Sequence, residues 1–161
     1  MAIMPHAHRL CLLPLIAAAV LPCLFATPLY AVTPDENAVL APVQALFDGM
    51  AKRDAVAIQQ PLLPGGNLVL MREGKPVQMS FADFAARVGK PETTHIEERI
   101  HHPLIRIDHD LAVVWAPFDV LVDGRVDHCG TDLFSLVQQN GRWLIASIAD
   151  TGRKTCSPGE R

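Results

Sequence analysis

The chain has 161 residues, half of them hydrophobic, and a formal net charge of −3. This length predicts a single domain, and the slightly acidic balance excludes the basic surface that binding to nucleic acid or to anionic lipid requires.

Residues 1–31 are predicted to be a secretory signal peptide. Arg9 precedes an almost wholly apolar run, and Ala31 supplies the small residue that cleavage needs. Cleavage there would leave a domain of residues 32–161 with 13 basic and 17 acidic residues, a net charge of −4. We therefore expect a periplasmic or secreted bacterial protein without membrane contact after cleavage; an uncleaved membrane anchor is the alternative.

A long first helix is predicted at the start of the domain. Residues 33–36 carry the Thr-Pro-Asp-Glu pattern of a capping box with proline at the first helical position, and the helix should run to about Lys52. Its apolar stripe has helical spacing and is expected to face the core. The stripe consists of Val39, Val43, Leu46, Phe47 and Met50.

The next elements are short. A second helix is predicted over 55–60, followed by a small hairpin of strands 67–72 and 76–80. A third helix should cover 81–88 and end at Gly89. Residues 94–108 then read as one long strand bent at a proline, in which Glu98 is expected on a solvated edge.

Leu111–Asp150 reads as three β-strands joined by two tight hairpins. Asp123-Gly124 and Asn140-Gly141 are the pairs that two-residue type I′ turns favour, because both central residues need positive φ. Counting outward from the first turn places Asp119 opposite His128, and Trp115 opposite the aspartate at position 132. Counting from the second turn places Leu136 opposite Ile145 and Phe134 opposite Ser147.

Residues that face each other across the strands share a side of the sheet. The predicted covered face holds Val113, Trp115, Asp119, His128, Asp132, Phe134, Leu136, Trp143 and Ile145. Because Pro117 cannot donate to the ladder, a bulge is expected there, which could displace Trp115 from Asp132. The polar cluster of Asp119, His128 and Asp132 among large apolar side chains is the best candidate site.

The side-chain direction of the 94–108 strand stays open. A two-residue turn before Leu111 would put His102 on the face of Trp115. The apolar Ile105 favours the opposite direction, which would bring His101 near Asp119.

Two cysteines, Cys129 and Cys156, remain after signal cleavage, and in an exported domain they suggest one disulfide. Free thiols or an intermolecular bridge are the alternatives. Cys129 should point away from the face of His128, which argues against a catalytic dyad of those neighbours. A metal site of His128, Asp119 and one of the histidines at 101 and 102 is geometrically conceivable, but no ligand spacing supports it. We therefore predict no metal and no cofactor.

The domain resembles the nuclear transport factor 2-like superfamily, which includes ketosteroid isomerase, SnoaL-like cyclases and the putative lumazine-binding proteins. The resemblance rests on Ala45-Leu46-Phe47 with Asp54, on Asp132–Val137, and on the Asn-Gly-Arg-Trp-Leu-Ile run at 140–145. The stretch from Trp115 to Asp132 also looks like an exported bacterial branch. The resemblance implies an α+β fold, in which a cone-shaped, curved antiparallel sheet wraps around N-terminal helices, but it does not specify an activity.

Ketosteroid isomerase uses an aspartate base beside a tyrosine and a protonated aspartate. The only tyrosine here, Tyr30, lies in the signal region, so that oxyanion site does not carry over. The candidate catalytic residues are instead His128, Asp132 and Asp119, with Asp119 raising the pKa of His128. The structural alternative is a cross-strand hydrogen bond between Asp119 and His128, with Asp132 capping backbone amides.

Three functions are consistent with the sequence. The preferred one is a homodimer that binds a small apolar or aromatic ligand through Trp115, Phe134, His102 and Phe47. The second is an isomerase, dehydratase or cyclase that uses a His/Asp acid–base pair. The third is a non-catalytic assembly or accessory domain with an apolar outer sheet face. That expected outer face consists of Ala112, Val114, Ala116, Phe118 and Val120.

Overall fold

The computed structural model describes residues 33–156, which form three helices and a seven-stranded sheet. The predicted signal segment, residues 1–31, lies outside the described residues. The helices are α1 (Pro34–Ala51), α2 (Ala55–Gln59) and α3 (Phe81–Val88). The strands are β1 (Leu62–Arg72), β2 (Lys75–Ser80), β3 (Ile96–Ile100), β4 (Leu104–Asp108), β5 (Leu111–Val122), β6 (Arg125–Gln139) and β7 (Arg142–Arg153).

The predicted helix starts are confirmed. The Thr33 side chain accepts a hydrogen bond from the Glu36 amide while the Glu36 carboxylate accepts one from the Thr33 amide, which completes the capping box. Asp54 caps α2 and Ser80 caps α3. The stripe of α1 faces the core as expected, with Met50 partly buried and the other four residues buried. The ring of Phe47 packs edge-on against Phe134 of the sheet.

The sheet is mixed and runs in the order β2-β1-β7-β6-β5-β3, with β4 also paired to β5. Only the β1–β7 pair is parallel among the described strands, and the rest are antiparallel. The predicted single strand 94–108 is wrong in one respect. Its residues form two strands on successive halves of β5, interrupted where His102 takes a positive φ before Pro103.

Both predicted hairpin turns are confirmed. Asp123, Gly124, Asn140 and Gly141 all have positive φ, and the strands pair directly on either side of each turn. The turn at His109-Asp110 also has two residues.

The predicted pairing of Asp119 with His128 is wrong. A bulge between Val120 and Leu121 inserts one extra residue on β6, so Val120 lies opposite His128 and Asp119 lies opposite Cys129. A one-residue shift in register moves a side chain to the other face of the sheet. Asp119 and His128 therefore project to opposite sides.

The same shift places each side chain of β5 between Leu111 and Val120 on the side of the sheet opposite to the predicted one. Ala116, not Trp115, lies opposite Asp132, and Val114 lies opposite Phe134. Four of the five β5 residues expected on the outer face are therefore buried, whereas Trp115 is 51% exposed. The four are Ala112, Val114, Ala116 and Phe118. No register shift occurs at Pro117, where the bulge was expected.

A second bulge lies in the last hairpin. The pairing of Leu136 with Ile145 is as predicted, but the register then shifts by one residue. Phe134 consequently lies opposite Ile148, not opposite Ser147. Both residues are buried in the core beneath α1.

None of the helices between residues 33 and 156 is long and apolar enough to cross a bilayer.

Adjacent valines on β5 test the register. Val114 is fully buried and Val113 faces the other side and is partly exposed. We expect Val114→Ala to lower the free energy of unfolding by about 2 kcal/mol, because two buried methyl groups are lost and a cavity remains. The matched Val113→Ala should cost less than about 1 kcal/mol. Urea denaturation measures both, and a larger loss for Val113→Ala would contradict the register.

Candidate functional site

A cavity of about 190 Å³ lies on the side of the sheet covered by α1. Side chains of α1, α3 and five strands line it. Its apolar walls are Leu46, Phe47, Met50, Leu68, Leu70, Phe84, Phe118, Val120, Phe134 and Ile148, and its polar residues are Arg72, Glu98, His128, Asp132 and Asp150. The predicted wall residues Phe47 and Phe134 thus lie on the cavity.

Two residues of the polar lining, Arg72 and Asp150, form an ion pair. The Arg72 guanidinium donates two hydrogen bonds to the Asp150 carboxylate, at 2.5 and 2.7 Å. Bidentate pairing fixes the planes of both groups. The hydrogen bond with Asp150 is the main cause of the raised pKa of Arg72. Asp150 is also the cross-strand neighbour of Asp132, so this ion pair lies beside the remaining acids.

Asp132 and Glu98 form a carboxyl pair in the cavity. Asp132 is only 3% exposed, and its Oδ2 has no conventional donor partner within residues 33–156. Burial first, and the neighbouring Glu98 second, raise its pKa well above the ordinary aspartate value. A carboxyl–carboxyl contact is a hydrogen bond only when a proton lies between the groups, so Asp132 and Glu98 interact favourably when the pair holds a proton.

Glu98 titrates near neutrality. Its pKa is raised to about 7, chiefly by burial and also by the charge of Asp150. The hydrogen bond with Asp132 and the charge of Arg72 act in the opposite direction. At neutral pH the pair therefore retains at least one proton. One carboxyl group can donate a hydrogen bond while the other oxygens accept.

The expectation that Glu98 lies on a solvated edge is wrong. Its neighbours Glu97 and Arg99 do face outward and pair with each other at 2.6 Å, whereas Glu98 lines the cavity. The flanking apolar residues Ile96 and Ile100 lie two positions away on either side. That period-two pattern was the available signal for an inward glutamate. Arg72 and Asp150 lie near strand ends and carried no such signal.

His128 lines the cavity as expected but has a different partner. Its Nδ1 lies 2.8 Å from Asp127 Oδ2, and Lys154 approaches the same carboxylate oxygen at 2.8 Å. The imidazole also packs edge-on against Phe118, with ring centroids 5.9 Å apart. The neighbouring carboxylate that holds His128 is thus Asp127, not Asp119.

Asp119 lies on the outer side of the sheet, 5% exposed, with His101 Nε2 3.1 Å from its Oδ2. The turn before Leu111 has two residues, as in the first of the two open alternatives, and the break at His102 still brings His101 near Asp119, as in the second. The predicted disulfide is present, joining Cys129, which lies opposite Asp119, to Cys156. The polar cluster expected from the sequence is therefore divided between the two sides of the sheet.

The predicted ligand contacts Trp115 and His102 lie away from the cavity. Trp115 lies opposite Leu104 on the outer side, and His102 is exposed in the break between β3 and β4. The expectation that Trp115 shares the face of Asp132 is wrong, because the β5 bulge reverses that strand.

The curved mixed sheet around α1 is the cone-shaped α+β fold of the nuclear transport factor 2-like superfamily. Residues 34–149 match the family described as putative lumazine-binding, and the chain belongs to that family. The match spans nearly the whole described domain.

Solved structures show the same fold at low sequence identity. A nuclear transport factor 2-like protein from Cytophaga hutchinsonii has a TM-score of 0.64 at 14% identity, over 75% of this chain and 100% of its own. A nuclear transport factor 2-like protein of unknown function from Shewanella baltica has a TM-score of 0.59 at 15% identity, over 75% of this chain and 95% of its own. A Xanthomonas campestris protein described as a putative calcium/calmodulin-dependent protein kinase II association domain has a TM-score of 0.62 at 16% identity. The match covers 78% of this chain and 95% of its own. No curated protein shows a significant match to the sequence.

The carboxyl pair makes stability pH-dependent. Because folding raises the pKa of Glu98 from 4.5 to about 7, the protonated form favours the folded state, and stability should fall as the pH rises through that interval. We expect Glu98→Gln to reduce this loss, because one of the two buried carboxyls no longer titrates, and to be more stable than wild type at pH 8, by on the order of 2 kcal/mol.

Urea denaturation between pH 5 and pH 8 measures this effect. Glu97→Gln is the matched control, because that side chain points outward and its pKa is lowered by Arg99. Identical pH profiles for wild type and Glu98→Gln would contradict the shared-proton assignment.

Proposed function

We propose that the protein is an exported domain that binds a compact, flat ligand in the cone cavity. The observation that carries the proposal is an apolar cavity with a proton-sharing carboxyl pair in its lining. Ligand sites are typically apolar, with a few orienting polar groups. Asp132 and Glu98 are those groups here, and His128 is a further lining residue.

The cavity volume limits the ligand. An apolar cavity of roughly 150 Å³ holds benzene, whereas drug-sized ligands occupy about 300–1,000 Å³. A cavity of about 190 Å³ therefore suits a molecule of one or two rings. Phe47 and Phe134 offer aromatic walls to such a ring.

The carboxyl pair limits the polar edge of that ligand. A protonated carboxyl donates to a carbonyl oxygen or ring nitrogen, and a neighbouring carboxylate oxygen accepts from an N–H group. The complementary edge is an amide-like N–H beside C=O. Lumazine, which the family description names, has such edges on a two-ring system, and we take it as the first ligand to test.

Export is part of the proposal. The Cys129–Cys156 disulfide supports it, because disulfides persist in oxidising compartments such as the bacterial periplasm. The apolar run within residues 1–31 supports it from the sequence.

An acid–base enzyme is the second candidate. A carboxyl group that titrates near pH 7 inside a ligand-sized cavity is suited to proton transfer at neutral pH. In this candidate Glu98 and Asp132 form the pair, in place of the His128–Asp119 pair expected from the sequence.

We expect lumazine to bind with a dissociation constant on the order of micromolar. Asp132→Asn and Glu98→Gln should each weaken binding about tenfold, because an amide in place of either carboxyl can no longer share the proton that gives the pair its donor and its acceptor. Isothermal titration calorimetry measures both. Glu97→Gln, one position away and facing outward, should bind as wild type does. Unchanged affinity in Asp132→Asn would contradict the proposed site.

The same samples distinguish binder from enzyme. The ligand is recovered after incubation with the protein in deuterated water, and its mass is measured by mass spectrometry. An unchanged mass supports the binder, whereas deuterium at carbon or a new product, lost in Glu98→Gln, supports the enzyme.

A homodimer through the outer sheet face is the proposed assembly. Leu104 and Trp115 lie opposite each other there, 48% and 51% exposed, and Leu111, 54% exposed, continues the apolar surface. Contiguous exposed apolar patches are typical of interaction sites.

Replacement of the central tryptophan tests the dimer. Trp115→Lys should raise the dimer dissociation constant at least about tenfold, since a buried aromatic anchor is replaced by a charge. Sedimentation equilibrium measures it. Val77→Lys on β2 is the control for an exposed apolar residue elsewhere. A wild-type protein that remains monomeric across the concentration range would contradict the proposal.

A further inference from the structure

Three potential metal ligands meet on the outer side of the sheet, away from the cavity, and a histidine lies beside one of them. Ligand atoms of Asp119, Cys129 and Cys156 all lie within 4.8 Å of one another. His101 Nε2 lies 3.1 Å from Asp119 Oδ2. The four residues come from β5, β6, the segment after β7 and the β3–β4 connection, so no short sequence motif contains them.

The backbone holds these residues firmly. Asp119 and Cys129 are cross-strand partners, and Cys129 also lies opposite Arg153, the residue from which the C-terminal segment departs. The His101 amide donates a hydrogen bond to the Pro117 carbonyl at 2.8 Å. Two of the four side chains, Asp119 and Cys129, are almost completely buried.

The donor set suits zinc. Thiolate, imidazole and carboxylate are the ligands that Zn²⁺ takes in tetrahedral sites, in which neighbouring ligand atoms lie about 3–4 Å apart. Two thiolates and one carboxylate carry three negative charges against the two positive charges of the ion. Arg99, which interacts electrostatically with Asp119, offsets the remaining charge.

We propose that reduction of the Cys129–Cys156 disulfide opens a Zn²⁺ site formed by both sulfurs, Asp119 and His101. Metal ion and disulfide are then alternative links between the C-terminal segment and β6. The disulfide form belongs to the oxidising compartment, and the metal form belongs to the chain in its reduced state.

The redox step balances with a dithiol as reductant. Thiolate attack breaks the Sγ–Sγ bond through a mixed disulfide, two electrons pass to the protein sulfurs, and the reductant leaves as its own disulfide. Cys129 and Cys156 each take up one proton. Binding of Zn²⁺ then releases these two protons, because only thiolates ligate the ion.

Cobalt(II), which reports sulfur ligation by its absorption spectrum, is the first probe. The purified protein is reduced with a phosphine, desalted without oxygen and titrated with Co²⁺, and oxidised protein is treated in parallel. We expect one equivalent to bind to the reduced protein, with sulfur-to-metal charge-transfer absorption and visible tetrahedral bands that Zn²⁺ abolishes. The oxidised protein should show neither.

Variants test the individual ligands. His101→Ala and Asp119→Asn should each weaken Zn²⁺ binding at least tenfold, since loss of even an outer partner costs about that much. His109→Ala is the matched control, because His109 is an exposed turn histidine paired with Asp108. If circular dichroism shows that Asp119→Asn does not fold, the affinity of His101→Ala for Zn²⁺ is the test of the site. Reduced wild type without the charge-transfer band, or unchanged affinity in His101→Ala, would overturn the proposal.

Discussion

One extra residue in β6 determines what each side of the sheet can do. The bulge opposite Val120 and Leu121 sets the register of β5 against β6, and register decides which face every side chain takes. It directs Val114, Ala116 and Phe118 beneath α1 and leaves Asp119 beside Cys129. The cavity lining and the outer cysteine cluster both depend on that single insertion.

The inner side combines an apolar cone with acids that cannot all be ionised together. Among the described lining residues, Asp132, Glu98 and Asp150 face one guanidinium, that of Arg72. Arg72 satisfies Asp150, so the other two carboxyls lower their repulsion by retaining a proton. This shared proton gives the cavity both a donor and an acceptor. A binder and an acid–base enzyme can use the same pair, which is why the fold does not separate them.

The outer side carries different chemistry. Trp115 and Leu104 form an exposed apolar surface, whereas Asp119 lies close to both sulfurs of the disulfide, with His101 beside it. The sheet therefore separates a ligand-sized cavity from a surface suited to partners and from a sulfur-rich cluster. Because strand residues alternate between faces, neighbouring positions such as His128 and Cys129 serve opposite sides.

The sequence by itself determined the three helices with their caps and the two type I′ hairpins, because these depend on local spacing and turn chemistry. The cysteine count suggested the disulfide, and the resemblance of a few short stretches indicated the superfamily. The sequence also selected Asp132, Phe134 and Phe47 for the cavity. Only the tertiary structure decided the side of Asp119 and Trp115, because a bulge cannot be counted from the turn residues that flank it. It alone brought Glu98, Arg72 and Asp150 to Asp132, since their proximity depends on strand order across the sheet, with β1 parallel to β7.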